Sequence, residues 1–300
     1  MYHTILVPLD GSAFSERALP MARTLARALR AQVILVRAAS AAVFPGTDPT
    51  EAQVQAVEEA QAYLSALAAG LSEHDLNIEV AVPYGDAAES ILLEIGLRSA
   101  DLVVMCTHGR SGLGRWIYGS VAEQVLAHSP APVLLVRPTG EVATLTPEPE
   151  QTTLLVPLDG SAFAETALPH TAALARAFDG TILLLCAVEP PMAPYTYQGV
   201  SLAPGASMEI AREAESYLEQ VAQRLRSAGL SVLTVVREGW PADVIAYRGP
   251  ALGPSLIVMA THGRTGVARL LLGSVALEVV RRSPLPVMLI RPTGQSTEAT

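Results

Sequence analysis

The two halves of this 300-residue chain repeat the same short strings in the same order. The strings are LVPLDGSAF at 6–14 and 155–163, THGR at 107–110 and 261–264, and RPTG at 137–140 and 291–294. The offset is 149 residues for the first string and 154 for the other two, which indicates a net insertion of five residues early in the second copy. The chain therefore consists of two copies of one domain, so any feature found in both halves can be compared between the copies.

The repeat also sets the predicted domain boundaries. We predict a first domain over 1–140, a linker over 141–150 within a Pro-, Thr- and Glu-rich stretch, a second domain over 151–294 and a tail over 295–300. Each copy has the size of a domain with a single core. Half of the residues are hydrophobic, so each copy can bury a full core.

Strand-like and helix-like patterns alternate along both copies. Apolar runs typical of strands cover 4–9, 33–36, 78–82, 102–105 and 133–136, then 154–158, 182–187, 232–236, 256–259 and 287–290. Helical spacing covers 19–29, 51–71, 87–97 and 120–127, then 168–178, 208–225, 242–247 and 274–280. Five buried strands alternating with helices predict an α/β fold with two tandem doubly wound domains, each a five-stranded parallel sheet flanked by helices.

Composition excludes several classes of function. The net charge of −9 and the lack of a basic run argue against nucleic-acid binding, which depends on neutralising phosphates. No apolar run approaches the ~20 residues that span a bilayer, so we expect no membrane insertion. The first residues lack a secretory leader pattern, and two cysteines without a CxxC motif fit a reducing compartment, so we expect a cytoplasmic protein.

The chain contains no lysine, so all 20 of its basic residues are arginine. Chemistry that needs an amine is thereby excluded, including a Walker-A phosphate loop, a Schiff base and a lysine general base. If the protein binds phosphate, it must use backbone N–H groups, hydroxyls and arginine.

Two repeated features follow strands whose carboxyl ends we expect at one crevice. Asp10 and Asp159 end the first strand of each copy, and the THGR string ends the fourth. Glycine- and arginine-containing stretches without acids follow at 108–119 and 262–273 and lead into Gly-Ser at a helix start. Backbone N–H groups, a helix N-terminus and a hydroxyl together form an anion site that needs no lysine.

Simpler interpretations exist for each of these residues. Ser120 fits a capping box with Glu123, although the second copy has Leu277 in place of the glutamate. The two aspartates suit a turn as well as acceptance of hydrogen bonds from a ribose. Histidines beside glycine in a turn are more often spacers than catalysts, and the histidine spacing does not predict a metal site.

Taken together, these motifs resemble the universal stress protein family. The resemblance rests on strand-Pro-Leu-Asp-Gly-Ser, then Thr-His-Gly-Arg with nine residues between its glycine and Gly-Ser, then Ser-Pro-x-Pro-Val-x-x-x-Arg, and it covers nearly all of both halves. It therefore implies a tandem member of the family with two Rossmann-like domains of the adenine nucleotide alpha hydrolase-like type. The family's pattern begins with Gly-x-x-Gly, and here Cys106 and Ala260 replace its leading glycine.

The resemblance implies a binding site in each half for ATP or another adenine nucleotide, with Mg²⁺ as a candidate companion ion. The implied site residues are Pro8, Asp10, Ala38, Cys106, His108, Gly109, Arg110, Gly119, Ser120 and Val121, then Pro157, Asp159, Ala187, Ala260, His262, Gly263, Arg264, Gly273, Ser274 and Val275. The family also implies an intramolecular pseudo-dimer through the last strands of the two halves, and a homo-oligomer.

We expect a stress-response protein that senses nucleotide or regulates partners, because the sequence supplies no nucleophile with an oriented base. Slow ATP hydrolysis assisted by arginine stays open. Two alternatives are a nucleotide-free interaction scaffold, which the two replaced glycines favour, and a nucleotide-dependent ligase-like enzyme. The turn after the first strand, Asp10-Gly-Ser-Ala-Phe, does not match the Ser-Gly-Gly-x-Asp-Ser turn of such ligases.

Overall fold

The repeated halves fold as two separate α/β units, Met1–Pro147 and Glu148–Thr300. A computed structural model describes residues 2–41, 48–72, 76–107, 119–137, 152–189, 206–261 and 272–291. Six implied site residues, at 108–110 and 262–264, lie outside the described residues. The other fourteen lie within them.

The first unit alternates strands and helices as the sequence predicts. Its elements are β1 (Thr4–Pro8), α1 (Ala13–Glu16), α2 (Ala18–Leu29), β2 (Gln32–Val36), α3 (Pro49–Ser72), β3 (Ile78–Ala81), α4 (Ala87–Leu97), β4 (Leu102–Cys106), α5 (Ser120–His128) and β5 (Val133–Val136).

The second unit repeats this order of elements. Its elements are β6 (Thr153–Pro157), α6 (Ala162–Glu165), α7 (Ala167–Phe178), β7 (Thr181–Val188), α8 (Ala206–Ser227), β8 (Ser231–Glu238), α9 (Pro241–Asp243), a π turn (Val244–Arg248), a 3₁₀ turn (Pro250–Leu252), β9 (Leu256–Ala260), α10 (Ser274–Arg282) and β10 (Val287–Ile290).

All the strand pairs within each unit are parallel, with the order β3-β2-β1-β4-β5 in the first unit and β8-β7-β6-β9-β10 in the second. The strand order reverses beside β1, which pairs with both β2 and β4. The register sets Ile5 opposite Leu102 in the first unit and Leu154 opposite Leu256 in the second. The predicted fold is confirmed, and so is the neighbourhood of the first and fourth strands on which the predicted crevice depends.

The apolar runs form these strands because helices cover the sheet, so residues on both sides of the inner strands are buried, whereas β3 and β8 keep exposed residues. Every residue of β4, β5, β9 and β10 is buried. Both cysteines are buried thiols within this core. None of the helices that the structure describes has the length and apolar character needed to cross a bilayer.

The segment that follows β8 differs from its prediction. Spacing predicts one helix over 242–247, but the structure has a single turn of α-helix, then a π turn and a 3₁₀ turn. Pro250 has no N–H to continue an α-helical ladder, and the N–H of Gly249 instead donates to the Val244 carbonyl at 2.7 Å. In the first unit, Gly96 occupies the position of Pro250, and α4 runs as a regular helix of 11 residues.

Candidate functional site

A cavity of about 410 Å³ opens in the first unit where the strand order reverses, beyond the carboxyl ends of β1 and β4. Such a crevice is where open α/β sheets bind ligands. Its described lining comes from β1 and the turn after it, the segment after β2, α3, α4, the end of β4 and the start of α5. The residues are Pro8, Leu9, Asp10, Ser15, Arg37, Ala38, Ala39, Ser40, Ala56, Glu59, Ala60, Ala87, Ile91, Met105, Cys106, Thr107, Gly119, Val121 and Ala122.

The second unit has a cavity of about 270 Å³ in the equivalent place. Its described lining residues are Pro157, Leu158, Asp159, Ala164, Leu185, Ala187, Glu189, Pro241, Ile245, Met259, Ala260, Thr261, Gly273, Ser274, Val275 and Ala276. Two cavities at the same topological point, formed independently by each copy, mark this crevice as the candidate site of each unit.

The aspartate at each cavity also forms a turn. Asp10 Oδ1 accepts hydrogen bonds from the backbone N–H of Ser12 at 2.9 Å and from its hydroxyl at 2.6 Å. Asp159 Oδ1 accepts the same two bonds from Ser161, at 3.0 and 2.6 Å. The serine hydroxyl in turn caps the following helix. The turn interpretation is therefore confirmed, and because both aspartates line their cavities, a ligand contact by the same side chain stays a prediction.

The described residues that flank 108–118 and 262–271 are held by main-chain bonds. The N–H of Gly119 donates to the carbonyl of Thr107 at 3.1 Å, and the N–H of Gly273 donates to that of Thr261 at 2.8 Å. Each threonine N–H donates to the last residue of the neighbouring strand, Val136 or Ile290. The helix that follows each glycine is thereby anchored to the end of the fourth strand.

The capping-box interpretation of Ser120 is wrong. The N-cap residues of α5 and α10 are Gly119 and Gly273, no side chain caps either helix, and the exposed Ser120 is the first helical residue. A glycine cannot supply the side-chain oxygen that a capping box needs. In contrast, Asp86 caps α4 by accepting from the N–H groups of Ala88 and Glu89.

The start of α5 presents backbone donors to the first cavity. The first-turn N–H groups of a helix have no intrahelical partner and carry the positive end of its dipole. Val121 and Ala122, both in this turn, line the cavity. A Cβ built on Gly119 would meet no atom within 4 Å, and its φ of −54° and ψ of 145° are open to any residue. Neither backbone conformation nor packing requires a glycine there, so the space before it is available to a ligand.

A tyrosine and a glutamate form the same hydrogen bond beside each cavity. The Tyr63 hydroxyl donates to Glu16 Oε1 at 2.9 Å, and the Tyr217 hydroxyl donates to Glu165 Oε1 at 3.0 Å. Burial, followed by the bond to Glu16, raises the pKa of Tyr63 above its ordinary value. Burial and the charge of the glutamate do the same to the pKa of Tyr217, so both hydroxyls stay protonated donors.

The implied site residues fall at the two cavities in most cases. Thirteen of the fourteen described ones line a cavity, and Ser120 is exposed at the start of α5. Cys106 and Ala260 end β4 and β9, are buried, and line the cavities with short side chains.

Sequence reasoning missed Arg37, Glu59 and Glu189, the charged residues that line the cavities besides the aspartates. A signal for Arg37 was present, because it directly follows β2 and precedes Ala38, an implied site residue at the same carboxyl edge of the sheet. Glu59 lies within α3, where its distance from the other motifs along the chain conceals its place. Among the described residues, no group of three or more His, Cys, Asp or Glu could hold a metal ion.

Comparisons with known proteins agree with this architecture. The sequence model of the universal stress protein family matches residues 1–137 and 151–291. A universal stress protein of Mycolicibacterium smegmatis is 27% identical over 310 residues, covering 96% of this chain and 97% of that protein. One from Methanocaldococcus jannaschii is 30% identical over 143 residues, covering 46% of this chain and 81% of its own length.

A solved structure extends the likeness to the fold of the whole chain. The crystal structure of a universal stress protein from Archaeoglobus fulgidus matches with a TM-score of 0.74 at 21% identity, over 96% of this chain and 98% of that one. The two matched segments of the family model together span most of both units. This chain therefore belongs to the universal stress protein family and contains the family's domain twice.

Proposed function

We propose that each unit binds an adenine nucleotide, ATP foremost, and that the protein acts in the cytoplasmic stress response by passing the bound state to partners. The observation that carries this proposal is the start of α5, where first-turn residues line a cavity beside Gly119, a glycine that no contact among the described residues requires. Such an arrangement favours an anion, and in a chain without lysine backbone N–H groups are one of the means of binding phosphate that stay available, with hydroxyls and arginine.

The rest of each cavity suits a nucleoside. Apolar side chains such as Ile91 and Met105 line the first cavity, and Ile245 and Met259 line the second. Cavities of ≈ 300–1,000 Å³ with apolar walls and a few placed polar groups are typical of small-molecule sites. The volumes of about 410 and 270 Å³ lie within this range or just below it. Asp10 and Asp159 supply the acceptors that ribose hydroxyls need.

We propose binding without dedicated catalysis. The described residues that line the two cavities include no histidine that could serve as a general base. Since the described residues form no metal cage, Mg²⁺ would arrive bound to the phosphates. The homo-oligomer stays a prediction, and sedimentation analysis measures the oligomeric state.

The decisive experiment adds a side chain at each of the two glycines that precede α5 and α10. We expect Gly119→Val with Gly273→Val to weaken ATP binding about tenfold or more, because the added methyl groups occupy the path to the first-turn N–H groups. Isothermal titration of wild type and variant with ATP, ADP and AMP measures the change. Gly70→Val, at an exposed helical glycine whose Cβ would meet no atom within 4 Å, is the matched control and should bind as the wild type does.

Two outcomes would contradict this function. One is unchanged ATP affinity in a folded double variant, and the other is a wild-type protein that takes up no adenine nucleotide. The second outcome would favour the interaction scaffold, for which the buried Cys106 and Ala260 at the two cavities are the supporting observation. Mass spectrometry of small molecules that co-purify with the native protein provides an independent check.

A further inference from the structure

The two units differ in charge at one pair of equivalent positions. Each position directly follows the residues of β2 or β7 that pair with the first strand of its unit. The offset of 149 residues that relates β2 to β7 also relates Arg37 to Cys186. Arg37 lines the first cavity and places a permanent cation there. Cys186 is a buried thiol, so the second unit has no cation at this position.

A second pair of equivalent positions changes charge in the same direction. Ser40 lines the first cavity, and its equivalent Glu189, which is exposed, lines the second. Each described lining nevertheless has two carboxylates, Asp10 and Glu59 in the first cavity and Asp159 and Glu189 in the second. The two described linings therefore differ in formal charge by the cation of Arg37. The stretches at 108–118 and 262–271 carry two arginines each, so they do not offset this difference in formal charge.

In the second unit, the arginine that contacts the tyrosine–glutamate pair comes from a position that is not equivalent to Arg37. Arg224, at the position of Gly70 in the first unit, pairs with Glu165 at 2.7 Å, and its side chain is 63% exposed. Arg37 instead lies over the ring of Tyr63, 4.9 Å from its centroid. A pair as exposed as Arg224 and Glu165 is screened by solvent and contributes little to the field of the cavity.

Arg37 is not needed to hold the tyrosine in place. Tyr217 forms the same bond to its glutamate as Tyr63 does, at 3.0 against 2.9 Å, with Cys186 in place of the arginine. Support of the tyrosine ring therefore does not account for a cation that lines the first cavity alone. A charge in a concave site with low-dielectric walls acts beyond contact distance and selects ligands by their charge.

We propose that Arg37 makes the first cavity selective for polyanionic adenine nucleotides, whereas the second cavity, whose described lining has no equivalent of Arg37, prefers a nucleoside or a monophosphate. This inference rests on the proposed function, because it assigns different ligand classes to the two proposed sites. The two units would then bind one nucleoside at two different levels of phosphorylation, instead of forming two copies of one site.

The test is a series of ligands of increasing charge, namely adenosine, AMP, ADP and ATP, titrated into the full chain at low and at high salt. Hydrogen–deuterium exchange of peptides from α5 and α10 assigns each binding event to a unit. In the wild type we expect affinity to rise with ligand charge in the first unit, and to stay flat or fall in the second. Raising the salt concentration should reduce the difference between the units.

Variants identify the residues responsible. Arg37→Gln should lower the ATP affinity of the first unit about tenfold while changing its adenosine affinity less than about twofold. Arg27→Gln, at an exposed arginine on α2 away from the cavity, is the matched control. Glu189→Gln, at an exposed position, should raise the ATP affinity of the second unit severalfold, and it tests the proposal even if the change at Arg37 disturbs folding.

The outcomes separate this inference from the proposed function. An ATP-specific loss in Arg37→Gln supports it, and a gain in Glu189→Gln adds to that support. An equal loss for ATP and adenosine, the same charge dependence in both wild-type units, or no change in either variant would overturn the inference and leave nucleotide binding in place. A wild type that binds none of the four ligands would overturn both.

Discussion

The two units share their backbone scaffold and differ in the side chains placed upon it. Both form the turn of Asp10 or Asp159, the main-chain bond between a threonine and a glycine after the fourth strand, and a helix that begins after a glycine without a side-chain cap. They differ in the cation beside the cavity and in the segment after the third strand, which is a regular helix only in the first unit.

This comparison separates the features of the shared fold from those that each copy acquired. Main-chain hydrogen bonds depend on the backbone conformation and not on the side chains, so two copies that have diverged in sequence elsewhere keep them. A single substitution can add or remove a side-chain charge. The two units illustrate this with cations at positions that are not equivalent, Arg37 in the first and Arg224 in the second. We therefore expect the scaffold to fix where a ligand lies and the variable side chains to select the ligand.

The largest effect that we expect concerns the interrupted helix of the second unit. A Cβ on Gly249 would lie 2.7 Å from Leu155 Cδ2 and 2.8 Å from the Ile245 carbonyl oxygen, both too close. Gly249→Ala should lower the free energy of unfolding of the second unit by about 1–3 kcal/mol, because backbone and core must shift to accommodate the methyl group. Calorimetry, with hydrogen exchange to assign each transition to a unit, measures the loss.

The first unit supplies the opposite case for the same comparison. Gly96 lies in the regular helix α4, is exposed, and a Cβ built on it would meet no atom within 4 Å. Gly96→Ala should therefore stabilise the first unit by about 0.5–1 kcal/mol, the cost of glycine in a helix interior. Destabilisation by both alanines, or by neither, would show that the two segments do not differ in the way we describe.

The second prediction asks whether the shared turn has the same energetic role in both units. Asp10→Ala and Asp159→Ala should each cost about 1 kcal/mol in unfolding free energy, because both remove the acceptor of two hydrogen bonds. The backbone N–H of Asp10 also donates to Ser15 Oγ at 3.3 Å, but alanine keeps that donor, so the costs should be about equal in the two units. Denaturant unfolding measures both costs.

Asparagine at the same two positions separates the turn from the ligand. Asp10→Asn and Asp159→Asn keep the Oδ1 acceptor, so stability should change by less than about 0.5 kcal/mol. Affinity for adenosine should nevertheless fall if the carboxylate accepts ribose hydroxyls, since an ionised acceptor forms stronger hydrogen bonds than an amide. Unchanged adenosine affinity in both asparagine variants would leave these residues with the turn alone.

Periodicity and repeats were sufficient to predict the fold and the place of the site. Buried strands read as uninterrupted apolar runs, so β4 and β9 were evident from Leu102 and Leu256 onward, and the pairing of the first and fourth strands placed Asp10 at the crevice. The duplicate strings then placed the second candidate site by the same argument.

Other features could not be predicted because they depend on contacts between distant parts of the chain. Glu59 reaches the cavity only through the packing of a 24-residue helix, which the local sequence does not specify. The π turn was missed because helical spacing up to Tyr247 does not register the effect of Pro250 three residues later. The capping box at Ser120 matched in sequence, but the helix takes Gly119 as its cap.

The smallest effect concerns a titratable group that only the second unit has in its core. His170, on α7, is half-buried, and its equivalent on α2 is the fully buried Met21. Burial lowers the pKa of His170 below its ordinary value of about 6.5, because the charged imidazolium is poorly solvated. The unfolded chain then binds more protons than the folded one as the pH falls, so the second unit should lose stability below about pH 6.5 and keep it above.

His170→Met transfers the residue of the first unit to the second and should abolish this component of the pH dependence. Unfolding at pH 7.5 and at pH 5.5 measures it, and the difference between wild type and variant isolates the histidine, because the carboxylates titrate alike in both proteins. We expect the variant to retain more of its stability at the lower pH than the wild type does. If the two proteins lose the same fraction, protonation of His170 does not distinguish the units.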